Sequence, residues 1–397
     1  MNKAIYICAA AVLVLASCSN DEIVERAKEN AISFRSVVGI NTRATEVNTG
    51  WLQQNDKLYV TTFKENGDRL YDETEYSYNG SAWIASPPQS WNGNSKLNFF
   101  LAYPKLSEWQ AGFELTKDKK TVQVSVDEDI PDQKDYVVAN VTGNKTNFND
   151  PISVDLIHVL SSVEIKAMNT NEAFKYKVKG IRLCGVNKDV TIDLSTINST
   201  LNIGHSTNMR NYELIYDTPV ELGSKAESLM GNAKIAILPP QTGGDALKWD
   251  GSKTSNTAGD YVGYYLSVKI NVTSKYGSSV YPAGSTADDA TYGWAAISVP
   301  FDWESGKKYV YTLDFSEGAG RVDPTDPGAA VTPNGVVDPA KGMPILGKRI
   351  KFGIAVSPWK DGGDQDATLT DGIKFTVGVD SWTDKEKDAE INLQLIY

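Results

Sequence analysis

Ile32-Ser33-Phe34-Arg35-Ser36-Val37-Val38-Gly39-Ile40 is followed at once by the short polar stretch Asn41-Thr42-Arg43-Ala44-Thr45. Ile32, Phe34, Val38 and Ile40 fall on one side of an extended chain, with Ser33, Arg35, Val37 and Gly39 on the other. Period 2 with one apolar face is the pattern of a strand that buries one side. The polar stretch predicts an exposed loop, and a cut after Arg43 would release everything before it. If the strand belongs to a sheet, its loss leaves unpaired backbone groups and an apolar groove.

The same alternation runs outward through the chain. Leu58 to Phe63, Leu97 to Ala102, Thr121 to Val126, Tyr136 to Val141, Ser162 to Ala167 and Tyr176 to Leu183 read as strands. Ala233 to Leu238, Tyr264 to Val272, Trp294 to Val299 and Tyr309 to Phe315 continue the series. Clusters of Gly, Pro, Asn and Asp bound each one, and no segment keeps a long helical period. Leu106 to Gly112 has room for one helical turn. Many short strands between polar turns predict an all-β protein built from β-sandwiches. Two turn-rich stretches break the series, Thr142 to Pro151 and Gly318 to Pro344, and the second reads as a long loop or linker. The expected division is an N-terminal sandwich over 44–150, a C-terminal sandwich over 151–360 and a strand extension over 361–397.

Upstream of Ile32, residues 1–17 read as a lipoprotein signal peptide. Lys3 supplies a positive start, and Ala4 to Ala16 is an unbroken apolar run of 13 residues. A membrane-spanning helix needs about 20. Leu15-Ala16-Ser17-Cys18 looks like a bacterial lipobox, at which Cys18 becomes the lipidated first residue and tethers the chain to the outer membrane. An ordinary secretory signal with an incidental cysteine is the alternative. Ser19-Asn20-Asp21-Glu22 resembles the acidic export signal of surface-exposed lipoproteins. Residues 18–43 then form a pro-segment carrying the removable strand. With Cys8 lost and Cys18 lipidated, Cys184 stands alone and no intramolecular disulfide forms in the mature chain. In Ile181-Arg182-Leu183-Cys184 it reads as a small buried hydrophobe rather than a nucleophile.

The 397 residues carry 50 Asp and Glu against 39 Lys and Arg, a formal charge of −11. Such a chain is a poor partner for nucleic acid or anionic lipid. At 41% hydrophobic and 10% aromatic residues it must bury a sizeable core. Two histidines and three cysteines leave little for His-based catalysis or a zinc site, so no enzymatic activity, cofactor or metal is expected. The loop Asp361-Gly362-Gly363-Asp364-Gln365-Asp366, with Asp371, has oxygen ligands for calcium but neither EF-hand spacing nor a terminal Glu. A solvated hairpin loop is the expectation there. Gly251-Ser252-Lys253-Thr254 lacks the adjacent Gly-Lys and the upstream Gly of a phosphate loop. Glu73 and Glu75 read as charges on an exposed strand face rather than a glycosidase pair. His158, in the apolar run Val154 to Leu160, is expected as a hydrogen-bonded core histidine.

The far end alternates as well, at Ile350, Phe352, Ile354 and Val356, then at Ile373, Phe375, Val377 and Val379. Ile391, Leu393, Leu395 and Tyr397 close the series. Such pieces can complete another molecule's sheet by strand addition. The last four residues form the candidate donor face for the groove that Ile32, Phe34, Val38 and Ile40 would vacate.

Further motifs occur in a telling order. They are Phe99-Phe100-Leu101-Ala102-Tyr103-Pro104 within Trp91 to Pro104, Gln133-x-Asp135-Tyr136-Val137-Val138-Ala139, His158-x-Leu160-Ser161-Ser162-Val163 and Leu238-Pro239-Pro240-Gln241. Pro300-Phe301-x-Trp303-x-x-Gly306-Lys307-x-Tyr309-x-Tyr311 and Ile354-x-Val356-x-Pro358-Trp359 follow. With the lipobox, the early strand and Arg43-Ala44, these residues resemble the fimbrillin family, the type V pilus subunits that mature from surface lipoproteins. The resemblance implies two transthyretin-like β-sandwich domains in tandem and an arginine-specific surface protease that cuts between Arg43 and Ala44. It also implies polymerisation with other pilus subunits, alike or unlike, by donor-strand exchange. A stalk or tip subunit fits better than an anchor, which would keep its lipid and have no use for Arg43. Asp361 to Tyr397 runs past Trp359, where shorter members are expected to stop. A host or glycan ligand is compatible with an adhesive role. The competing readings are a surface glycan-binding lipoprotein that keeps its lipid and stacks sugars on exposed tryptophans, and a secreted hydrolase, for which no motif supplies facing carboxylates.

Overall fold

In the N-terminal part the alternation produces β1 (Ser33–Val38), β2 (Lys57–Lys64), β3 (Arg69–Tyr78) and β4 (Trp83–Ala85). After these come β5 (Leu97–Tyr103), β6 (Thr121–Ser125), β7 (Val137–Gly143) and β8 (Ile152–His158). The structure is a computed structural model that describes residues 30–38, 57–147, 151–197, 202–205, 208–284, 291–328, 337–346, 350–359 and 374–379. Seven strands bond in the order β1-β4-β3-β2-β5-β7-β8, and the ring closes where β8 pairs with β1. Their inward side chains make one core, with Phe34, Leu58, Val60, Tyr76, Trp83 and Phe99 all buried. Along β8, Ile152, Val154 and Leu156 face in while Ser153 and Asp155 face out. The ring therefore runs through residue 158.

The C-terminal part begins with β9 (Ser161–Met168), β10 (Phe174–Asn187), β11 (Asp189–Asp193), β12 (Asn202–His205) and β13 (Met209–Glu221). Next are β14 (Glu227–Ser228), β15 (Ala236–Leu238), β16 (Tyr265–Ser274), β17 (Ser279–Tyr281) and β18 (Gly293–Ile297). It ends with β19 (Lys307–Asp314), β20 (Arg321–Val322), β21 (Lys351–Pro358) and β22 (Lys374–Val379). One sheet has the order β13-β10-β16-β18-β20 with β17 on β16; the other runs β14-β9-β19-β21-β22 with β15 on β9. Val178, Leu183, Val268 and Ile270 of the first meet Val163, Ile165, Tyr311 and Leu313 of the second in a single buried cluster. The all-β class read from the sequence holds, and this half is a sandwich of two sheets.

The halves are not strung on a free linker. β6 pairs antiparallel with β11 in a three-stranded sheet with β12, setting Val124 opposite Val190 and Val122 opposite Ile192. Leu106 and Trp109, on the single turn α1 (Leu106–Trp109), join the C-terminal core together with Phe113. The described parts of the Gly318–Pro344 stretch, residues 318–328 and 337–344, are also bound in. β20 pairs with β18, and the fully buried Asp323 carboxylate accepts from Ser267 Oγ at 2.7 Å and from the Thr325 and Asp326 N–H groups at 2.9 Å. Residues 321–326 are therefore packed into the sandwich rather than spanning between units.

Tyr311 shows how the sandwich satisfies its buried polar atoms. Its hydroxyl donates to the Pro300 carbonyl and accepts from Trp303 Nε1, both at 2.8 Å, with the ring 1% exposed. Tyr311→Phe strands both partners, so urea unfolding should show a loss of about 1–3 kcal/mol. An unchanged unfolding midpoint would contradict this role.

Candidate functional site

The site is the slot that β1 fills. On one side β1 runs antiparallel to β4, with Ser33 opposite Ile84 and Phe34 opposite Trp83. On the other it runs parallel to β8, from Phe34 beside Ile152 to Val38 beside Leu156. Just before the strand, the Ile32 N–H donates to the Gln89 carbonyl at 2.8 Å and the Trp91 N–H donates to the Asn30 carbonyl at 3.2 Å. Both edges of the segment are thus engaged in backbone hydrogen bonds, as in an interior strand of a sheet.

The side chains match. Ile32 is 2% and Phe34 0% exposed, while Arg35 faces solvent. The Phe34 ring lies edge-on to Tyr76 at 5.2 Å and to Phe99 at 5.4 Å, and Trp91 packs edge-on to Phe99 at 5.6 Å. These are the favoured geometries for aromatic quadrupoles. Burial pushes the Tyr76 hydroxyl pKa up from its ordinary value. Among the described residues, the slot is lined by the buried apolar side chains of Tyr76, Trp83, Trp91, Phe99, Ile152 and Val154.

Of the expected removable face, the structure places Ile32 and Phe34 inside the ring. It describes the backbone of Val38, whereas Ile40, Arg43 and Ala44 lie outside the described residues, as does Cys18. Ile391, Leu393, Leu395 and Tyr397 also lie outside them, with the Asp361 to Asp371 loop. The alternating run at Ile350 to Val356 belongs to its own sandwich. β21 pairs with β19 from Lys351 opposite Asp314 to Pro358 opposite Lys307, and Phe352 and Ile354 are buried. β22 pairs in turn with β21.

The remaining candidates have structural roles. Cys184 is free and buried against Trp249, Val262 and Tyr265, and burial raises its thiol pKa well above the ordinary value, which suppresses the nucleophilic thiolate. His158 is 2% exposed, with Nδ1 2.8 Å from Asp135 Oδ2 and its ring stacked 4.0 Å from Trp359. Glu73 accepts from the Ser107 N–H at 3.0 Å and its hydroxyl at 2.6 Å, while Glu75 pairs with Lys57 at 2.9 Å. Neither carboxylate faces a cleft partner. Asp250 accepts the Ser252 and Lys253 N–H groups, so the Gly251 turn is closed on itself. The walls of the slot escaped the sequence reading: β4 has only three residues, and β8 reads as a plain apolar run unless the alternation of Ile152, Val154 and Leu156 is noticed.

A profile for the fimbrillin-like family matches residues 42–333, and the chain belongs to this family. No curated protein matches it. Among solved structures, a fimbrial assembly protein of Parabacteroides distasonis is 12% identical with a TM-score of 0.36, over 88% of this chain and 99% of that one. A candidate cell adhesion protein of the same species is 10% identical with a TM-score of 0.47, over 85% and 99%. A candidate cell adhesion protein of Bacteroides ovatus is 13% identical with a TM-score of 0.42, over 72% and 93%. Family membership makes the chain a pilus subunit that works at the cell surface with other subunits.

Phe34 is the largest side chain that β1 puts into the ring. Phe34→Ala in the uncut protein should lower the stability of the N-terminal barrel by about 3–5 kcal/mol, read as a lower denaturation midpoint. A loss under about 0.5 kcal/mol, the scale of surface substitutions, would show that β1 is not part of the folded core.

Proposed function

We propose that β1 is a temporary strand, held in the barrel until a neighbouring subunit replaces it. The chain is exported as an outer-membrane lipoprotein lipidated at Cys18. An arginine-specific surface protease then cuts between Arg43 and Ala44, and the subunit polymerises by donor-strand exchange as the stalk or tip of an adhesive pilus. The observation that carries this reading is that an interior strand of a closed ring lies N-terminal to Arg43. The family match starts at residue 42 and leaves that strand outside, which supports the same division.

Loss of β1 would expose two unpaired edges, β4 and β8, and the apolar faces of Tyr76, Trp83 and Phe99. A strand with large apolar residues at alternate positions repairs both defects, and Ile391, Leu393, Leu395 and Tyr397 have that form. Each large aliphatic residue so buried contributes about 1.5–3 kcal/mol, and the added main-chain hydrogen bonds slow release. Because slot and donor are different surfaces, repeated addition gives an open filament rather than a closed ring. The role is non-enzymatic. The glycan-binding alternative needs exposed tryptophans, yet all seven described ones, Trp83, Trp91, Trp109, Trp249, Trp294, Trp303 and Trp359, are buried.

Protein sheared from the cell surface should begin at Ala44, and Arg43→Ala should block polymerisation while leaving a folded precursor. Filament subunits that begin only at lipidated Cys18 would refute the stalk or tip role. Cys18→Ser should abolish membrane association of the uncut chain, measured by fractionation. Deleting residues 390–397 should leave a folded, protease-resistant monomer that accepts a strand but cannot donate one. Unfolding of the C-terminal half by that deletion would make the segment an intramolecular strand instead.

A further inference from the structure

β1 is held unequally by its two neighbours. Its ladder with β4 is antiparallel and two rungs long, Ser33 opposite Ile84 and Phe34 opposite Trp83. Its ladder with β8 is parallel and five rungs long, from Phe34 opposite Ile152 to Val38 opposite Leu156. Parallel pairing is slightly the weaker per residue. The longer wall of the slot is therefore paired in the weaker way, and a strand running in the other direction would lie antiparallel to β8.

Phe34 stands at the first rung along β8. Its ring is fully enclosed, with Tyr76 edge-on at 5.2 Å, Phe99 edge-on at 5.4 Å and Trp83 opposite it on β4. A leucine in this place would forfeit both edge contacts and leave a gap in a close-packed box. Farther along the same wall the inward residues are Val154 and Leu156, opposite Ser36 and Val38. The slot thus has its aromatic place at one end of the ladder and an aliphatic wall along the rest.

The anchors of the donor are unequal in the same way. Of Ile391, Leu393, Leu395 and Tyr397 only Tyr397 is aromatic, and it comes last of the four. We infer that the box around Phe34 takes Tyr397 of a neighbouring copy, and that the donated strand runs opposite to β1, antiparallel to β8. The inference rests on the proposal that Ile391 to Tyr397 is the donor. With Tyr397 opposite Ile152, a reversed strand sets Leu395 opposite Val154, Leu393 opposite Leu156 and Ile391 opposite His158. All four anchors then sit beside buried residues of β8. A strand running as β1 does, with the same ring in the box, sets the other three anchors ahead of Ile152, where β8 begins. With Leu393 in the box instead, it fills the ladder but puts an aliphatic residue in the aromatic place. Reversal also makes the longer ladder antiparallel, which favours the incoming strand over β1.

The test is disulfide trapping in filaments formed on cells by the full chain, with one cysteine on β8 and one in the donor. Ser153 and Asp155 are exposed on the outer face of β8, and Gln394 and Ile396 alternate with the anchors. A disulfide needs Cα atoms about 4.4–6.8 Å apart, so it joins opposite residues and not residues two places out of step. The reversed strand predicts intersubunit bonds for Ser153→Cys with Ile396→Cys and for Asp155→Cys with Gln394→Cys. A strand running as β1 does, with Leu393 in the box, predicts the exchanged pairs, Ser153→Cys with Gln394→Cys and Asp155→Cys with Ile396→Cys. Bonding in those pairs would overturn the inference with the donor strand intact, and so would bonding in none of the four while deletion of residues 390–397 still abolishes filaments. Bonding in none, with filaments that survive the deletion, would overturn the donor assignment as well. Tyr397→Phe keeps the ring and should leave the rate of filament dissociation in urea unchanged. Tyr397→Leu should raise that rate about tenfold, the scale of two lost edge-to-face contacts. A wild-type rate for Tyr397→Leu would show that the box does not hold this ring.

Discussion

The N-terminal barrel closes only if a strand lies between β4 and β8. Without one, β8 presents a row of free donors and acceptors, and the ring opens onto Tyr76, Trp83 and Phe99. Exposed edges and apolar faces together are what a soluble β-protein must avoid. The requirement is nevertheless loose in sequence. A ladder of backbone hydrogen bonds suits any extended chain, and the pockets ask only for large apolar residues at alternate positions. Phe34 satisfies that demand from within the same chain, between β4 on one side and β8 on the other. A segment of another chain with the same period can satisfy it too.

The C-terminal half makes an informative contrast. Its first strand, β9, is likewise parallel to a later strand, β19, and antiparallel to the short strands β14 and β15. It follows β8 after only Val159 and Leu160, both fully buried. Nothing there can be removed without breaking the chain through its core. The halves are further bound by the β6–β11 pairing and by the His158–Trp359 stack, with the Trp359 N–H donating to Gly306 O at 2.8 Å. The end of the slot wall is thereby held against the end of β21.

Much of this was legible in the sequence because half-buried strands write their geometry as period 2. The alternation of Ile32 and Phe34 with Ser33 and Arg35 located β1, and the same rule found β5, β7, β9, β16 and β19. It missed β3, where Tyr76 is the only fully buried side chain among exposed and half-buried neighbours, and β13, where Tyr212 stands in the same position. Strands whose outer faces are charged and whose inner faces are partly covered lose the pattern. Pairing was beyond reach altogether. Nothing local to Ile152 to His158 says that it lies beside β1. The family motifs were readable because they are linear.

The most direct test of strand replacement is a structure of the native filament, resolved well enough to identify the residues between β4 and β8. Density for Ile391 to Tyr397 of the adjacent subunit, with apolar side chains where Ile32 and Phe34 sit in the uncut chain, is the expected result. Density for β1 still in the slot, or a barrel closed by direct pairing of β4 with β8, would contradict it.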